Sequence, residues 1–331
     1  MQDDRFYFPT NIYIEITNHC NVKCRICPHG SDLIEKKGYM KYEVFKKIID
    51  DISDVRLNIQ RIGLYGLGES LLHPDFAEMA FYGKSKGFFQ QLTTNALFLS
   101  PDKSREIIQQ NLLDYLEISF DDDVEKYSYF KGGDIYDMVL DNIKYFVTNN
   151  RSTDVRIMFC QYDMDKDNYS ARERFKKQFR GKNVTFVSHE VWNWRGTMQM
   201  DFLTEKVRKK MLRKRNEVPQ KTKCTNGADM GMFQWDGQLR SCYMDYNGEN
   251  TYGNIIENNA IDLFLNKNRR LFIDNIVNGN HKLNYVCKDC LSPYNIRTNE
   301  LLLERPDGKQ ISLQGNNWDS VKCSPEWDKV K

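Results

Sequence analysis

The sequence predicts an α/β protein: a partial (β/α)6 barrel followed by a small C-terminal module that bears cysteines. Six short runs rich in β-branched and aromatic residues alternate with amphipathic helical stretches between Asn11 and His189. This alternation is typical of a parallel sheet flanked by helices. It stops after the basic stretch 206–215, and five of the nine cysteines follow. The 331 residues exceed one core of roughly 250 to 300 residues, so a barrel with an appended module suits the length.

The barrel prediction depends on the six β-rich runs, each followed by a helical stretch. Six such units are too few for a closed eight-stranded barrel but enough for a partial TIM-like barrel, whose active site lies at the carboxyl ends of the strands. We expect the barrel over residues 1–218, the module over 219–295 and a tail of unknown role, with one hairpin, over 296–331. The six predicted strands are residues 11–17, 61–66, 88–95, 115–120, 155–162 and 184–191.

Charge and hydropathy exclude several classes of protein. The 48 basic and 46 acidic side chains give a formal charge of +2, so nucleic acid is not an expected partner. No apolar run reaches the roughly 18 residues that a membrane span needs, and the N-terminus MQDDRFYFPT does not resemble a secretion signal. We therefore predict a cytoplasmic protein with no membrane partner. In such a reducing compartment, nine cysteines are better explained by metal ligation than by disulfides.

The first cysteine motif, CNVKCRIC, follows the first predicted strand and contains Cys20, Cys24 and Cys27. A chance match to this spacing has a probability on the order of 1 per cent. Three thiolates can hold a [4Fe-4S] cluster and leave one iron free to bind a further ligand. The alternative is a zinc site completed by His19 or His29.

Together with GLYGLGESLLHPDF after the second strand, this motif resembles the radical S-adenosylmethionine (SAM) superfamily over about the first 195 residues. The resemblance implies a [4Fe-4S] cluster and SAM, which together supply a 5′-deoxyadenosyl radical. It also makes Gly66, Gly68 and Glu69 the glycine-glycine-glutamate motif that receives the amino group of SAM. Glycine suits a close backbone approach, and a carboxylate suits an ammonium group.

Further SAM-binding candidates follow from the same resemblance. TTNA and ISFDD lie at the ends of the third and fourth strands, where the family carries signature residues. The implied cofactor contacts are Ile26, Asn95, Ser119 and Asp121. The resemblance also implies an electron donor such as flavodoxin or ferredoxin.

A second set of four cysteines lies beyond the barrel, at Cys224, Cys242, Cys287 and Cys290. The segment MFQWDGQLRSC predicts a hairpin with Asp236-Gly237 in its turn, which would bring Cys242 back toward Cys224. Four convergent thiolates would also suit a zinc ribbon.

The order WDGQLRSCYMD, YGNI, helix, CKDC resembles the auxiliary-cluster modules called SPASM and twitch. No further cysteine follows Cys290 at the spacing of a complete SPASM module. The resemblance therefore implies one auxiliary [4Fe-4S] cluster, as in the shorter twitch form, which could accept or conduct electrons. Cys323 in the tail is predicted to be a free thiol.

Cys160 and Asp245 are candidate catalytic residues. Cys160 lies in the fifth strand, where it is either a small apolar core residue or a thiol that donates a hydrogen atom to a substrate radical. Asp245 follows Cys242 by three residues and could face substrate, the alternative being an exposed loop carboxylate.

The segment VWNWRG after the sixth strand supplies three more candidates, Trp192, Trp194 and Arg195. The tryptophans could stack on a sugar-like substrate, and Arg195 could act on an anionic group or a hydroxyl. Packing of the tryptophans against the auxiliary module is an equal alternative. The basic stretch 206–215 is interpreted as the solvated face of a helix.

The predicted reaction is hydrogen abstraction from a carbinol carbon of a small hydroxylated substrate such as a sugar or aminocyclitol, followed by oxidation to a ketone. The single auxiliary cluster would accept the electron. Alternatives are a radical epimerase with Cys160 or Cys323 as hydrogen donor, a peptide-modifying or protein-modifying SPASM enzyme, and a zinc-binding scaffold without activity. Only 19 residues precede Cys20, so we expect no leader-binding domain and less reason for a leader-guided peptide substrate.

Overall fold

The computed structural model describes most of the barrel and of the module. Three sequence predictions lie mainly or wholly outside the described residues: the helix over 206–215, the domain boundary near 218 and the free thiol Cys323. The described residues are 4–54, 59–121, 123–161, 169–198, 201, 203, 205, 208–209, 224, 227–290, 300–304 and 310–314.

Six parallel strands form the barrel wall in chain order, which confirms the α/β partial barrel. Each strand pairs with the next, from the first to the sixth, and the arc does not close. All six predicted strands are present, the first two being shorter than predicted. They are β1 Asn11–Ile14, β2 Arg61–Gly63, β3 Phe89–Thr94, β4 Tyr115–Ser119, β5 Asp154–Gln161 and β6 Val184–Glu190.

Helices cover the outer face of this wall. In the first helix the buried residues Phe45, Ile48, Ile49 and Ile52 recur at helical spacing and form one apolar stripe against the sheet. No described helix is long and apolar enough to cross a membrane. The helices are α1 Tyr42–Asp54, α2 Phe76–Ser85, α3 Pro101–Gln109, α4 Val124–Lys131, α5 Tyr136–Asn149, α6 Tyr169–Lys177, α7 Ala260–Phe264 and α8 Lys267–Val277.

The cysteine-bearing module continues the barrel sheet. Its first strand, β7 Met230–Phe233, pairs in parallel with β1, and β8 Gln238–Arg240 and β9 Thr251–Asn254 add to it in antiparallel order. Gly237, at φ 85°, lies in the turn between β7 and β8, where the left-handed backbone favours glycine. The predicted hairpin is therefore confirmed.

The C-terminal hairpin covers the other edge of the wall. Strands β10 Glu300–Glu304 and β11 Gln310–Gln314 are antiparallel, as predicted, and Glu304 pairs with Phe186 of β6. The described strands thus form one eleven-stranded sheet in the order β11-β10-β6-β5-β4-β3-β2-β1-β7-β8-β9. Strand β7 pairs along the whole of β1, whereas the described part of β10 meets β6 at the single pair Glu304 and Phe186.

Alternation along the strands separates the helix side from the barrel interior. Ile12 and Ile14 of β1 are fully buried in the core with the helices, whereas Tyr13 between them packs edge to face with Tyr65 on the other side. The first cysteine loop lies between β1 and α1, at the carboxyl end of the sheet.

Candidate active site

The first cysteine loop is tied to the loop that follows β2. The Cys27 amide donates to the Cys24 carbonyl at 3.0 Å, and the Glu69 amide donates to the His19 carbonyl at 2.8 Å. Burial raises the pKa of the Cys20 thiol to about 11. Metal binding would have to displace that proton, because thiolates are the ligand form. The three thiols on one loop fit the donor set of a cluster with one open iron.

Glu69 holds its carboxylate beside this loop in a fixed orientation. The side chain is 2% exposed, and burial raises its pKa. The Thr94 hydroxyl and the Asn95 amide each donate to it at 2.8 Å, and the Leu71 amide donates at 3.2 Å. Thr94 and Leu71 both donate to Oε1 and Asn95 donates to Oε2, so a lone pair on Oε2 is left to accept from a cationic ligand.

Asn95 connects Glu69 to the cysteine loop. Its side-chain amide donates to the Asn21 Oδ1 at 2.8 Å and lies 3.9 Å from the Cys20 Sγ. The predicted candidates at the ends of β2 and β3 are therefore brought to the first cysteine site.

The two motif glycines are required by contacts within the protein. A Cβ on Gly68 would lie 2.3 Å from the Thr17 carbonyl oxygen, and a Cβ on Gly66 would lie 2.3 Å from the Glu15 Oε2. Both distances are far below van der Waals contact. The glycines thus allow the β2 loop to pack against the chain that leads into the cysteine loop.

Lys131 is a buried cation that the sequence analysis missed. It ends α4, is 4% exposed, and donates from Nζ to the Ser119 hydroxyl at 2.6 Å. Burial lowers its pKa, but the charges of Cys24 and Asp121 outweigh this effect and raise the pKa above the usual value. A signal was present, because Lys131 follows the buried Tyr127 by four residues and so shares its helix face.

Cys160 faces the barrel interior, which strand alternation alone could not decide. Its neighbour Phe159 packs on the helix side with Phe175, whereas Cys160 joins an apolar cluster with Ile26 of the cysteine loop and Phe130. The Cys160 amide donates to the Asp121 carboxylate at 3.2 Å. Cys160, Ile26 and Asp121 therefore lie on the same side of the sheet as the first cysteine site.

The second set of cysteines also converges. Cys242 and Cys290 are buried together, and Cys224 and Cys287 lie partly buried beside the main core. Burial raises the pKa of the Cys287 thiol, and the neighbouring Cys242, Cys224 and Cys290 raise it further. Among the described residues, no three His, Cys, Asp or Glu side chains have the spacing of a single-ion site. The fit to a four-thiolate cluster rests on the four thiol donors and on their electrostatic interaction with one another.

The two tryptophans pack at the second set of cysteines. Trp192 stacks on Tyr243 with ring centroids 4.8 Å apart, and Trp194 lies edge to face with Trp192. Both contact the apolar cluster that contains Cys242 and Cys290. The two tryptophans thus pack against the cysteine-bearing module, as one of the two alternatives predicts. Stacking of a substrate on them stays a prediction.

Arg195 and Asp245 are engaged by the protein. The Arg195 guanidinium forms a two-pronged pair with the Glu249 carboxylate, with one contact at 2.7 Å. Asp245 is fully buried, unlike the exposed loop carboxylate of the alternative interpretation, and accepts from the Glu249 and Asn250 amides at 2.9 Å. These contacts hold the loop after Cys242 in place, and a catalytic role for either residue stays a prediction.

The family comparison agrees with this geometry. Residues 14–168 match the model of the Radical SAM superfamily. This region is a radical SAM domain. The superfamily implies a [4Fe-4S] cluster and SAM. Cys20, Cys24, Cys27 and Glu69 are the residues predicted to bind them.

Curated relatives match only parts of this chain. A tungsten-containing aldehyde ferredoxin oxidoreductase cofactor-modifying protein of Pyrococcus furiosus is 33% identical over 100 residues, which are 30% of this chain and 27% of the relative. A probable GTP 3′,8-cyclase of Pyrococcus abyssi is 32% identical over 143 residues, 43% of this chain and 45% of the relative. The chain therefore spans less than half the length of these two relatives.

Solved structures share the fold at low identity. BtrN in complex with AdoMet and 2-DOIA gives a TM-score of 0.59 at 16% identity, over 86% of this chain and 93% of BtrN. Streptococcus suis SuiB bound to the precursor peptide SuiA gives 0.60 at 14% identity, over 87% of this chain and 71% of SuiB. These likenesses concern the fold, which extends across the radical SAM domain and the module.

Proposed function

We propose that the chain is a radical SAM enzyme that oxidises a carbinol carbon of a small hydroxylated substrate, such as a sugar or aminocyclitol, to a ketone. When bound, the first cluster and SAM supply a 5′-deoxyadenosyl radical, and an auxiliary cluster accepts one electron. The balance is complete, because the alcohol loses one hydrogen atom to the radical, one electron to the auxiliary cluster and one proton from its hydroxyl. The observation that carries the proposal is the placement of four free thiols beside the barrel, two buried in one apolar cluster and two partly buried against the main core.

The chain's own residues divide the remaining work. Cys20, Cys24 and Cys27 hold the first cluster. Glu69 accepts the amino group of SAM with a carboxylate that three protein donors orient. Lys131, a buried cation that donates to Ser119 and lies within the field of Asp121, adds positive charge that would suit the carboxylate of SAM.

The four-thiolate site is proposed to hold the auxiliary cluster that accepts the electron from the substrate radical. Cys242 and Cys290 are buried among aromatic and methionine side chains, an environment that would keep water from the electron that leaves the substrate. The proposed ligands are Cys224, Cys242, Cys287 and Cys290.

Iron and sulfide content tests the proposal first. After anaerobic reconstitution we expect about eight irons and eight sulfides per chain, as two four-iron clusters require. The variant with both Cys287→Ala and Cys290→Ala should retain about four of each. A protein that takes up zinc and no sulfide would instead be the non-enzymatic scaffold.

Product analysis then tests the reaction. With sugars or aminocyclitols deuterated at one carbinol carbon, we expect deuterium in 5′-deoxyadenosine and an equal amount of ketone. Cys24→Ala is the control that should form neither. Deuterium transfer without any two-electron oxidised product would contradict the dehydrogenase proposal. Turnover of peptides alone would favour the peptide-modifying alternative.

The inward position of Cys160 favours epimerisation as a second candidate. A thiol on the cluster side of β5 could donate a hydrogen atom to the opposite face of a substrate radical. In that case Cys160→Ala should abolish the epimer while 5′-deoxyadenosine continues to form, because cofactor cleavage does not use the thiol. Ketone formation at the wild-type rate in Cys160→Ala would exclude the donor role. Cys160→Ser is the matched control for size.

A further inference from the structure

A left-handed turn at residues 193–197 lies between the two cysteine sites. Trp194, Arg195 and Gly196 have φ angles of 44°, 54° and 84° in succession. Two consecutive non-glycine residues in the left-handed region of backbone conformation are strained. Such strain persists only where surrounding contacts hold the backbone in place. The contacts on both sides of the turn supply that constraint.

One side of the turn contacts the first cysteine loop. The Trp194 Nε1 donates to the carbonyl oxygen of Ile26 at 2.7 Å, and Ile26 lies between the ligands Cys24 and Cys27. The indole also packs in the apolar cluster that includes Cys27. Trp194 therefore fixes the backbone of the loop that is proposed to carry the first cluster.

The other side of the turn contacts the CKDC loop. The Asn193 side-chain amide donates to the Asp289 carbonyl at 2.9 Å, and Asp289 lies between Cys287 and Cys290. A Cβ on Gly196 would lie 2.9 Å from the Asp289 Cβ, so only glycine allows this approach.

A second set of contacts joins the turn to the loop after Cys242. Arg195 pairs with Glu249, and the Tyr246 hydroxyl donates to the Thr197 hydroxyl at 2.9 Å. The turn therefore touches both ligand-bearing parts of the module and the first cysteine loop at once.

We propose that this turn couples the two sites, with Trp194 as the positioning residue: an ordered CKDC loop holds the turn, and the turn holds the first cysteine loop in its SAM-binding form. The inference rests on the proposed function for the identity of the two sites. It makes SAM affinity depend on the auxiliary ligands through Trp194.

SAM affinity of the reconstituted protein tests the coupling. Under anaerobic equilibrium dialysis with labelled SAM, Trp194→Phe should raise the Kd by about 5- to 10-fold, the loss expected for one buried hydrogen bond. The SAM-induced change in the electron paramagnetic resonance spectrum of the reduced first cluster should weaken in parallel. Tyr82→Phe, on the outer helix α2, removes an aromatic donor to Asp50 of α1 and should leave both readouts unchanged.

Additional variants disrupt the contacts between the turn and the CKDC loop. Asn193→Ala and the combined Cys287→Ala and Cys290→Ala variant should weaken SAM binding to a similar extent. Adding Trp194→Phe to either should cause little further loss, since members of one coupled unit are not additive. Wild-type affinity in Trp194→Phe, at wild-type iron content and circular dichroism, would overturn the coupling, as would fully additive losses.

Iron content separates this inference from the proposed function. A wild-type content of about four irons would contradict the auxiliary cluster and hence the proposed function. The CKDC loop would still contact the turn, so the affinities of Trp194→Phe and Asn193→Ala would decide the coupling in that case too.

Discussion

Glu69→Gln is expected to weaken SAM binding by about 100-fold while leaving the iron content of the protein unchanged. The substitution keeps the size of the side chain and the oxygen that accepts from Thr94, but it removes the negative charge. Loss of one partner from a buried charged pair typically costs about 2 to 5 kcal/mol, which covers this factor. Because the side chain is 2% exposed, water cannot replace the missing charge.

Equilibrium dialysis under anaerobic conditions measures this effect, with Glu78→Gln on the exposed face of α2 as the matched control. The control should bind SAM like the wild type. Wild-type affinity in Glu69→Gln would remove Glu69 from the proposed SAM site, whatever the family motif implies.

The pH dependence of SAM binding gives an independent check on Glu69. Burial raises the pKa of its carboxyl group, and only the ionised form can pair with the ammonium of SAM. Affinity should therefore fall as the pH is lowered through this raised pKa, and should be regained as the pH rises. In Glu69→Gln this part of the dependence should be absent.

The strands and the first cysteine loop could be predicted from the sequence because their signals are local. Each strand is a short β-rich run, and Asp236-Gly237 marks the turn of the hairpin that follows. The spacing of the three cysteines on a loop before α1 likewise needs no knowledge of distant contacts. The same holds for the C-terminal hairpin.

The charged network of the site could not be predicted, because the sequence does not show which polar side chains the fold buries or which groups then face them. Arg195 is a candidate for substrate binding, and no sequence pattern indicates that its guanidinium pairs with Glu249, 54 positions away. Asp245 could have been an exposed loop residue, but the loop folds around it and satisfies its carboxylate. Lys131 has no distinctive sequence pattern of its own, because a lysine on an amphipathic helix is usually exposed to solvent.

The pairing of the barrel and the module in one sheet could not be predicted from the sequence either. A cysteine-rich segment after a break in the βα alternation indicates a separate unit, and no sequence pattern predicts that β7 pairs with β1. Parallel pairing between strands that lie so far apart in the chain depends on the whole fold. The consequence is that the two cysteine sites share one sheet.

A buried ion pair joins the barrel to the module at this shared sheet. Arg240 and Glu15 are both fully buried, and the guanidinium donates to the Glu15 Oε2 at 2.8 Å. The same oxygen accepts from the Leu67 amide at 2.9 Å, two residues before Glu69. Arg240 itself lies two residues before Cys242. The pair thus lies between the SAM-binding loop and the proposed auxiliary ligands.

Arg240→Met is expected to lower the free energy of unfolding by about 3 to 5 kcal/mol, because it leaves the Glu15 carboxylate buried without its cation. Burial already raises the pKa of Glu15 in the wild type, and loss of Arg240 raises it further. When folding raises the pKa of a carboxyl group, the protein loses stability as the pH rises from the unfolded-state pKa to the folded-state pKa. The defect should therefore be smaller at about pH 5 than at about pH 8.

Thermal and denaturant midpoints by circular dichroism, with matched cluster content, measure this change. Lys46→Met, which breaks the surface pair with Asp50, is the control and should shift the midpoint little. The double variant Glu15→Gln with Arg240→Met should recover most of the loss, since no charge is then stranded and the introduced amide oxygen can still accept from Leu67. A double variant no more stable than Arg240→Met would instead place the cost in lost packing around Arg240.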